Sequence, residues 1–455
     1  MPFSVAIIGA GPSGFYTAEA LRRSSLDFRI DLIEGLPTPF GLIRFGVAPD
    51  HQSTKRVARS YERTAQDEAV GYFGNVEVGR DIGLEELRGL YDAVVVAIGA
   101  PLDRELKIPG GDKAGVYGSA TFVGWYNGHP DHRDLAPDLN TESVAIIGNG
   151  NVALDIARVL VKTPAEMATT DLPDYAGAVL HSAPVRDVHL IGRRGPLESK
   201  FTNVELREMA RLEDCLPLVD PGQIPDGPAA DADEREQRLQ AKNLDTLRSF
   251  AGLDAAGKSK RVHFRFFNRP VEVLGGSRVE ALRLEKTRVE DGHAVGTGET
   301  FDLPCGAVVA AIGTKAQPLE GLPFDQSKGV VTNRHGRVDR GLYVVGWARR
   351  GPTGVIGTNK PDAEEIATHI EADLADAGGG SGAKASLARK TGRPALEDLL
   401  DQRGVNWISY DGWKVIEAAE VEAAEPGMPR KKLIRIAEML AVLDGAGPAP
   451  RQRSD

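Results

Sequence analysis

Short apolar runs that end in glycine recur along the chain and set its organisation. Ser4-Val5-Ala6-Ile7-Ile8-Gly9 and Ser143-Val144-Ala145-Ile146-Ile147-Gly148 each read as a strand leading into a glycine-rich turn and an apolar helix. Val94-Val95-Val96-Ala97-Ile98-Gly99, Val308-Val309-Ala310-Ala311-Ile312-Gly313 and Leu342-Tyr343-Val344-Val345-Gly346 repeat the pattern. Runs without polar alternation suit strands buried on both faces of a parallel sheet, and the terminal glycines let the chain turn close to a nucleotide. Elsewhere the pattern breaks. Residues 162–187, with Pro164, Pro173 and Pro184, read as an irregular extension, and Pro221–Ala232 reads as a loop before a charged helix, Asp233–Phe250. A helix opening at Asp362 ends near the glycine-rich Ala377–Gly382, a C-terminal segment covers Pro394–Leu443, and the tail beyond Gly445 reads as disordered.

Each strand–glycine–helix unit is closed further on by an Ala-Ile-Gly strand, so the chain repeats itself. The expected fold is α/β, with two Rossmann-like nucleotide-binding domains of glutathione-reductase type. The second is inserted into the first: residues 1–102 and 318–455 form one domain and 103–317 the other, with Pro101, Pro109-Gly110-Gly111 and Gln317-Pro318 as linker chemistry. A length of 455 residues agrees with more than one core.

The two fingerprints differ in the charge at the end of the next strand. In the first, Gly9 permits the tight turn, Gly11 the approach of a pyrophosphate, and Gly14 close helix–strand packing, with Ser13 beside it. The next strand ends at Glu34, 25 residues after Gly9, where a carboxylate accepts hydrogen bonds from a ribose diol. The second fingerprint, Gly148-Asn149-Gly150-Asn151-Val152-Ala153, leads to a strand ending in Gly192-Arg193-Arg194, a clamp for a 2′-phosphate. One site should hold a dinucleotide without that phosphate and the other NADP(H). FAD suits the first site, and the Gly351–Thr358 loop, containing Gly354, Val355 and Ile356, could serve as a platform for its ring.

A formal charge of −10 argues against a nucleic-acid binder. No apolar run approaches the roughly 20 residues of a membrane span. The only cysteines, Cys215 and Cys305, have neither metal nor redox spacing, so no metal site is expected and a reducing cytoplasm is the expected setting.

Three longer motifs are more specific: Gly41–His51 (GLIRFGVAPDH), Phe201–Met209 (FTNVELREM) and Gly346–Pro352 (GWARRGP). On these the chain resembles the adrenodoxin reductase family over essentially its whole length, including its bacterial FprA-type ferredoxin–NADP reductases. The resemblance implies FAD contacts at Ser13, Glu34, Leu42, Val78, Trp347 and Gly354–Ile356. It places NADP(H) contacts at Asn149, Gly150, Asn151, Val152, Arg193, Arg194, Glu205 and Gly354. His51, Glu208 and Asp155 match residues that the family holds near nicotinamide and flavin. From the residues alone His51 would be a capping or surface histidine, Glu208 a solvated helix face, and Asp155 a structural salt bridge. Ser199-Lys200 departs from the smaller apolar residues expected there.

The implied function is hydride transfer between NADPH and FAD, then single-electron transfer to an acidic, transiently bound ferredoxin-type iron–sulfur protein, by a monomer or dimer. Basic candidates for docking are Arg207, Arg211, Arg235, Arg238, Lys242 and Arg248, although acidic neighbours allow an ordinary solvated face. The alternatives are an FAD/NADPH-dependent monooxygenase or general NADPH diaphorase, the electron-supplying subunit of a larger complex, and a non-catalytic FAD/NADP redox sensor.

Overall fold

The computed structural model describes residues 2–379 and 389–445. Part of the glycine-rich segment expected at Ala377–Gly382, and the whole tail beyond Gly445, lie outside the described residues. The chain forms two compact units: Met1–Val47, His51–Leu102 and Thr314–Asp455 in one, Ala48–Asp50 and Asp103–Gly313 in the other. The return crossing therefore falls at Gly313/Thr314, ahead of the Gln317-Pro318 linker expected from sequence. Ala316, fully buried in a core cluster of the first unit, explains the shift.

In the first unit a six-stranded sheet runs 337–339, 342–344, 93–96, 3–8, 28–33, 70–73, parallel except for its first strand. Successive residues of one strand feed opposite cores. Val5 and Ile7 pack with Phe15, Ala363 and Ile366, while Ala6 and Ile8 pack with Leu87, Leu396 and Val344. A strand covered on both faces has no solvent side for a polar alternate, which is why the run is continuous. The C-terminal helices Arg393–Gln402 and Tyr410–Glu422 contribute to these cores.

The second unit repeats the plan with an all-parallel sheet, 116–118, 307–310, 143–147, 187–191, 260–265, 215–219. In both units the fingerprint strand lies between the Ala-Ile-Gly strand and the strand with the charged ending, at the C-terminal edge where open α/β sheets bind ligands. Two features differ from the sequence expectation. Residues 162–187 are not irregular: Pro164–Met167 and Asp174–Ser182 are helices whose Met167, Ala176 and Leu180 complete the core. Pro164 occupies a first-turn position behind the Thr163 cap and so starts a helix rather than breaking one. The other is an antiparallel three-stranded sheet, Asn268–Leu274, Ala281–Glu290 and His293–Pro304, packed through Leu282, Leu284 and Leu303.

Candidate functional site

Each unit carries one glycine-rich turn that is a candidate nucleotide cradle, and the glycines divide by what surrounds them. In the first unit a Cβ on Gly9, at φ +107°, would lie 2.6 Å from the Ala97 carbonyl oxygen. On Gly14 it would lie 2.1 Å from that of Gly9. Packing alone demands these two. A Cβ on Gly11 would meet nothing nearer than Gly41 Cα at 3.9 Å. Gly11 caps the Pro12–Arg22 helix without a side-chain hydrogen bond, so the first-turn N–H groups stay approachable.

Glu34 stands beside this opening. Its carboxylate accepts from Ala10 N at 2.9 Å and Leu36 N at 3.3 Å. Burial pushes its pKa up, and the backbone donors offset this only in part. Thr38 Oγ1 is buried with no hydrogen-bond partner among the described residues. A carboxylate for a diol beside an open glycine fits the ADP half of FAD. Ser13 Oγ donates to Asn359 Oδ1 at 3.2 Å, an oxygen that Arg350 Nη2 also reaches at 2.9 Å. Trp347 Nε1 donates to the Thr353 carbonyl at 3.2 Å, next to exposed Gly354 (φ +82°) and Val355, and Ile356 starts a short turn. Leu42 is exposed at the head of the Leu42–Phe45 helical turn, and Val78 bridges to Ile82.

The second cradle repeats the division. A Cβ on Gly148, at φ +139°, would lie 2.3 Å from the Ala311 carbonyl oxygen, whereas one on Gly150 would meet no protein atom within 4 Å. Gly150 again caps its helix, Asn151–Val161, without a side-chain bond. Ala153 is buried in place of the third glycine, and Val152 is exposed. The loop is tied to the Lys200–Thr202 segment: Lys200 N donates to the Asn149 carbonyl at 2.8 Å and Thr202 N to Asn151 Oδ1 at 2.7 Å. The antiparallel sheet braces the arginine turn, with Thr287 Oγ1 donating to the Arg193 carbonyl at 2.8 Å and Arg194 Nη1 to the Gly292 carbonyl at 3.2 Å. Among the described residues neither Arg193 nor Arg194 is in an ion pair, so both guanidinium charges remain available to an anion.

Glu205 belongs to a buried charge cluster around Arg158. That side chain, 1% exposed, contacts Asp50 at 2.5 Å, Asp155 at 2.7 Å and Glu205 at 3.5 Å, while Lys162 reaches Asp50 at 2.9 Å. Burial would raise Asp50, but Arg158 and then Lys162 outweigh it and hold that carboxyl well below the usual range. Burial and then Asp155 push Glu205 up to about 7 against the pull of Arg158. Sequence reasoning passed over Arg158, although an arginine within the apolar stretch Val152–Val161 was a signal.

Residues 3–211 match the pyridine nucleotide-disulphide oxidoreductase family. The chain is 40% identical over 454 residues to NADPH-ferredoxin reductase FprA of Mycobacterium tuberculosis H37Rv, covering 97% of this chain and 99% of that one. The mitochondrial NADPH:adrenodoxin oxidoreductase of Arabidopsis thaliana is 40% identical over 466 residues, covering 97% and 95%. A solved structure of M. tuberculosis FprA in complex with NADPH superposes with a TM-score of 0.91 at 40% identity, covering 98% of this chain and 100% of that one. The chain belongs to the adrenodoxin reductase–FprA family.

As a member of that family, the chain departs from the disulphide chemistry in the matched family's description. Cys215 and Cys305 are free, lie in different core clusters, and are pushed up to about 12 by burial. Of the residues expected near the reacting rings, His51 precedes the Gln52–Lys55 turn in the first unit and is partly buried. Asp155 is held by Arg158, and Glu208 accepts from Arg211 Nη1 at 2.8 Å. Among the docking candidates, Arg211, Arg238 and Arg248 pair with Glu208, Glu234 and Asp245. Arg207, Arg235 and Lys242 are exposed and in no ion pair among the described residues, and Val204 and Leu239 are exposed near them in sequence. No helix among the described residues is long and apolar enough to cross a membrane.

Proposed function

We propose that the chain is an NADPH–ferredoxin reductase that binds FAD in the first cradle and NADP(H) in the second. The observation that carries this is the pairing of two open-glycine cradles, one beside a carboxylate and the other beside two arginines that no carboxylate neutralises among the described residues. When bound, FAD supplies the chemistry of accepting a hydride and releasing its two electrons singly. The chain's own residues bind, orient and shield: Glu34 holds the ribose diol, Arg193 and Arg194 hold the 2′-phosphate, and Trp347 with Gly354–Ile356 backs the ring. His51 and Glu208 orient the nicotinamide end and conduct protons rather than act as an obligatory acid or base, with Asp155 assisting.

The acceptor is a ferredoxin-type iron–sulfur protein, and Arg207, Arg235 and Lys242 form the basic part of its docking surface. Two free, buried thiols suit a reducing compartment, and we place the enzyme in the cytoplasm. The test is an anaerobic titration with NADPH followed by stopped-flow mixing with a ferredoxin. Flavin bleaching and then rapid ferredoxin reduction, slowed by salt while ferricyanide reduction is not, is the expected result. Bleaching without transfer to any ferredoxin would move the function to another acceptor.

A further inference from the structure

In the first unit the segment Phe40–Phe45 is pressed onto the phosphate-binding turn. Phe40 has φ +82°, a conformation costly for a bulky L-residue, and Gly41 follows at φ +48°. Phe40 N donates to the Ala10 carbonyl at 2.8 Å, and a Cβ on Gly41 would lie 3.1 Å from Gly11 Cα. Such a backbone persists only where its surroundings over-determine it.

Those surroundings come from far along the chain. Arg44, buried at the end of the turn, is held bidentately by the fully buried Glu420, with Nη1 donating to Oε2 at 2.9 Å and Nη2 to Oε1. The guanidinium lies 5.3 Å from the Trp413 ring, and that ring meets Phe40 edge-on at 6.0 Å. Glu420 is itself fixed by Leu433 N at 2.8 Å. A buried ion pair is weak evidence for stability, because an apolar pair of similar volume often serves as well. What the fork geometry adds is a fixed position for Arg44 and the turn it ends.

We propose that Glu420 is a positioning residue for the FAD cradle: through Arg44 it holds the Phe40–Phe45 turn against Gly11 and so sets how slowly FAD leaves. The proposal rests on FAD occupying the first unit. With Glu420→Gln the charge-assisted fork is lost, Phe40 relaxes from its positive φ, and Gly41 lifts from the phosphate-binding turn.

The experiment compares holoenzymes of the parent, Glu420→Gln, Arg44→Lys and Arg393→Lys. Arg393 supplies the comparison, since its equally buried contact with Asp31 at 2.7 Å ties the same C-terminal segment to the sheet rather than to the turn. FAD release is followed by the rise in flavin fluorescence on dilution, and stability by thermal melting of the apoproteins. Release about tenfold faster or more in Glu420→Gln and Arg44→Lys, with an altered flavin absorption spectrum, is expected. Arg393→Lys should lower the melt with little change in release. Unchanged release in Glu420→Gln, or equal acceleration in Arg393→Lys, overturns the proposal. If Glu420→Gln does not fold, Arg44→Lys, which keeps the charge, decides by the same criteria. A parent protein that takes up no FAD would instead remove the cofactor assignment itself.

Discussion

Replacing Gly150 with alanine separates binding from folding. The added methyl would meet no protein atom within 4 Å, and the backbone there, φ −116° and ψ 177°, is open to any residue. The folding cost is then the modest preference of a helix cap for glycine over alanine, about 0.5–1 kcal/mol. The space the methyl enters is the space a pyrophosphate needs to reach the first-turn N–H groups. Losing one charge-assisted hydrogen bond there costs about 1.5–3 kcal/mol, or roughly 10- to 150-fold in affinity. Titration calorimetry of NADP+ into the holoenzyme reads the affinity, and a denaturant melt reads the stability. Gly148→Ala provides the contrast: its methyl would clash with the Ala311 carbonyl at 2.3 Å and its φ is +139°, so about 3 kcal/mol of stability should go. If Gly150→Ala kept full NADP+ affinity while melting normally, the loop would not be the phosphate cradle and the reasoning from open glycines would fail.

If the proposed clamp holds, Arg194→Ala should lower kcat/KM for NADPH by about 10- to 30-fold and leave NADH, which lacks the 2′-phosphate, within about twofold; equal losses with both cofactors in ferricyanide assays would sink the clamp assignment. Glu205 sits at about 7 in the folded chain against an ordinary 4.5, so its contribution to stability is fully present below 4.5 and lost as pH rises through 7. Glu205→Gln should therefore be more stable than the parent at pH 8, by roughly 1–2 kcal/mol after allowance for partial exposure, and match it near pH 4.5; a difference that does not vary with pH would contradict this. Arg158→Met removes the guanidinium shared by Asp50, Asp155 and Glu205 in a buried site and should cost about 3–5 kcal/mol at pH 7, with the deficit shrinking in acid as the carboxylates take up protons. A loss below about 1 kcal/mol in urea melts would mean that the cluster is solvated.

Both glycine turns were legible because the demands on them are local. A turn at positive φ, an N–H left open to phosphate and a charged residue at the next strand's end are each written within a few residues. The strands were legible for a related reason: burial on both faces leaves an uninterrupted Val/Ile run such as Val94–Val96. The helices at 164–167 and 174–182 were not, because proline breaks or starts a helix according to where the cap falls, and the cap is settled by packing. Roles assigned to His51, Glu208 and Asp155 came from family resemblance, since no local pattern reports which distant groups meet.

By itself, then, the sequence determined the two nucleotide units, the insertion of one into the other, and the opposite chemistry of their strand endings. Only the tertiary structure decided which glycines face empty space and which face a carbonyl. It also decided that Arg158 would meet Asp50 across 108 residues and Arg44 would meet Glu420 across 376. The physical reason is range: backbone conformation and helix capping act over a few residues, whereas a buried charge takes its partner from whatever the folded chain brings beside it.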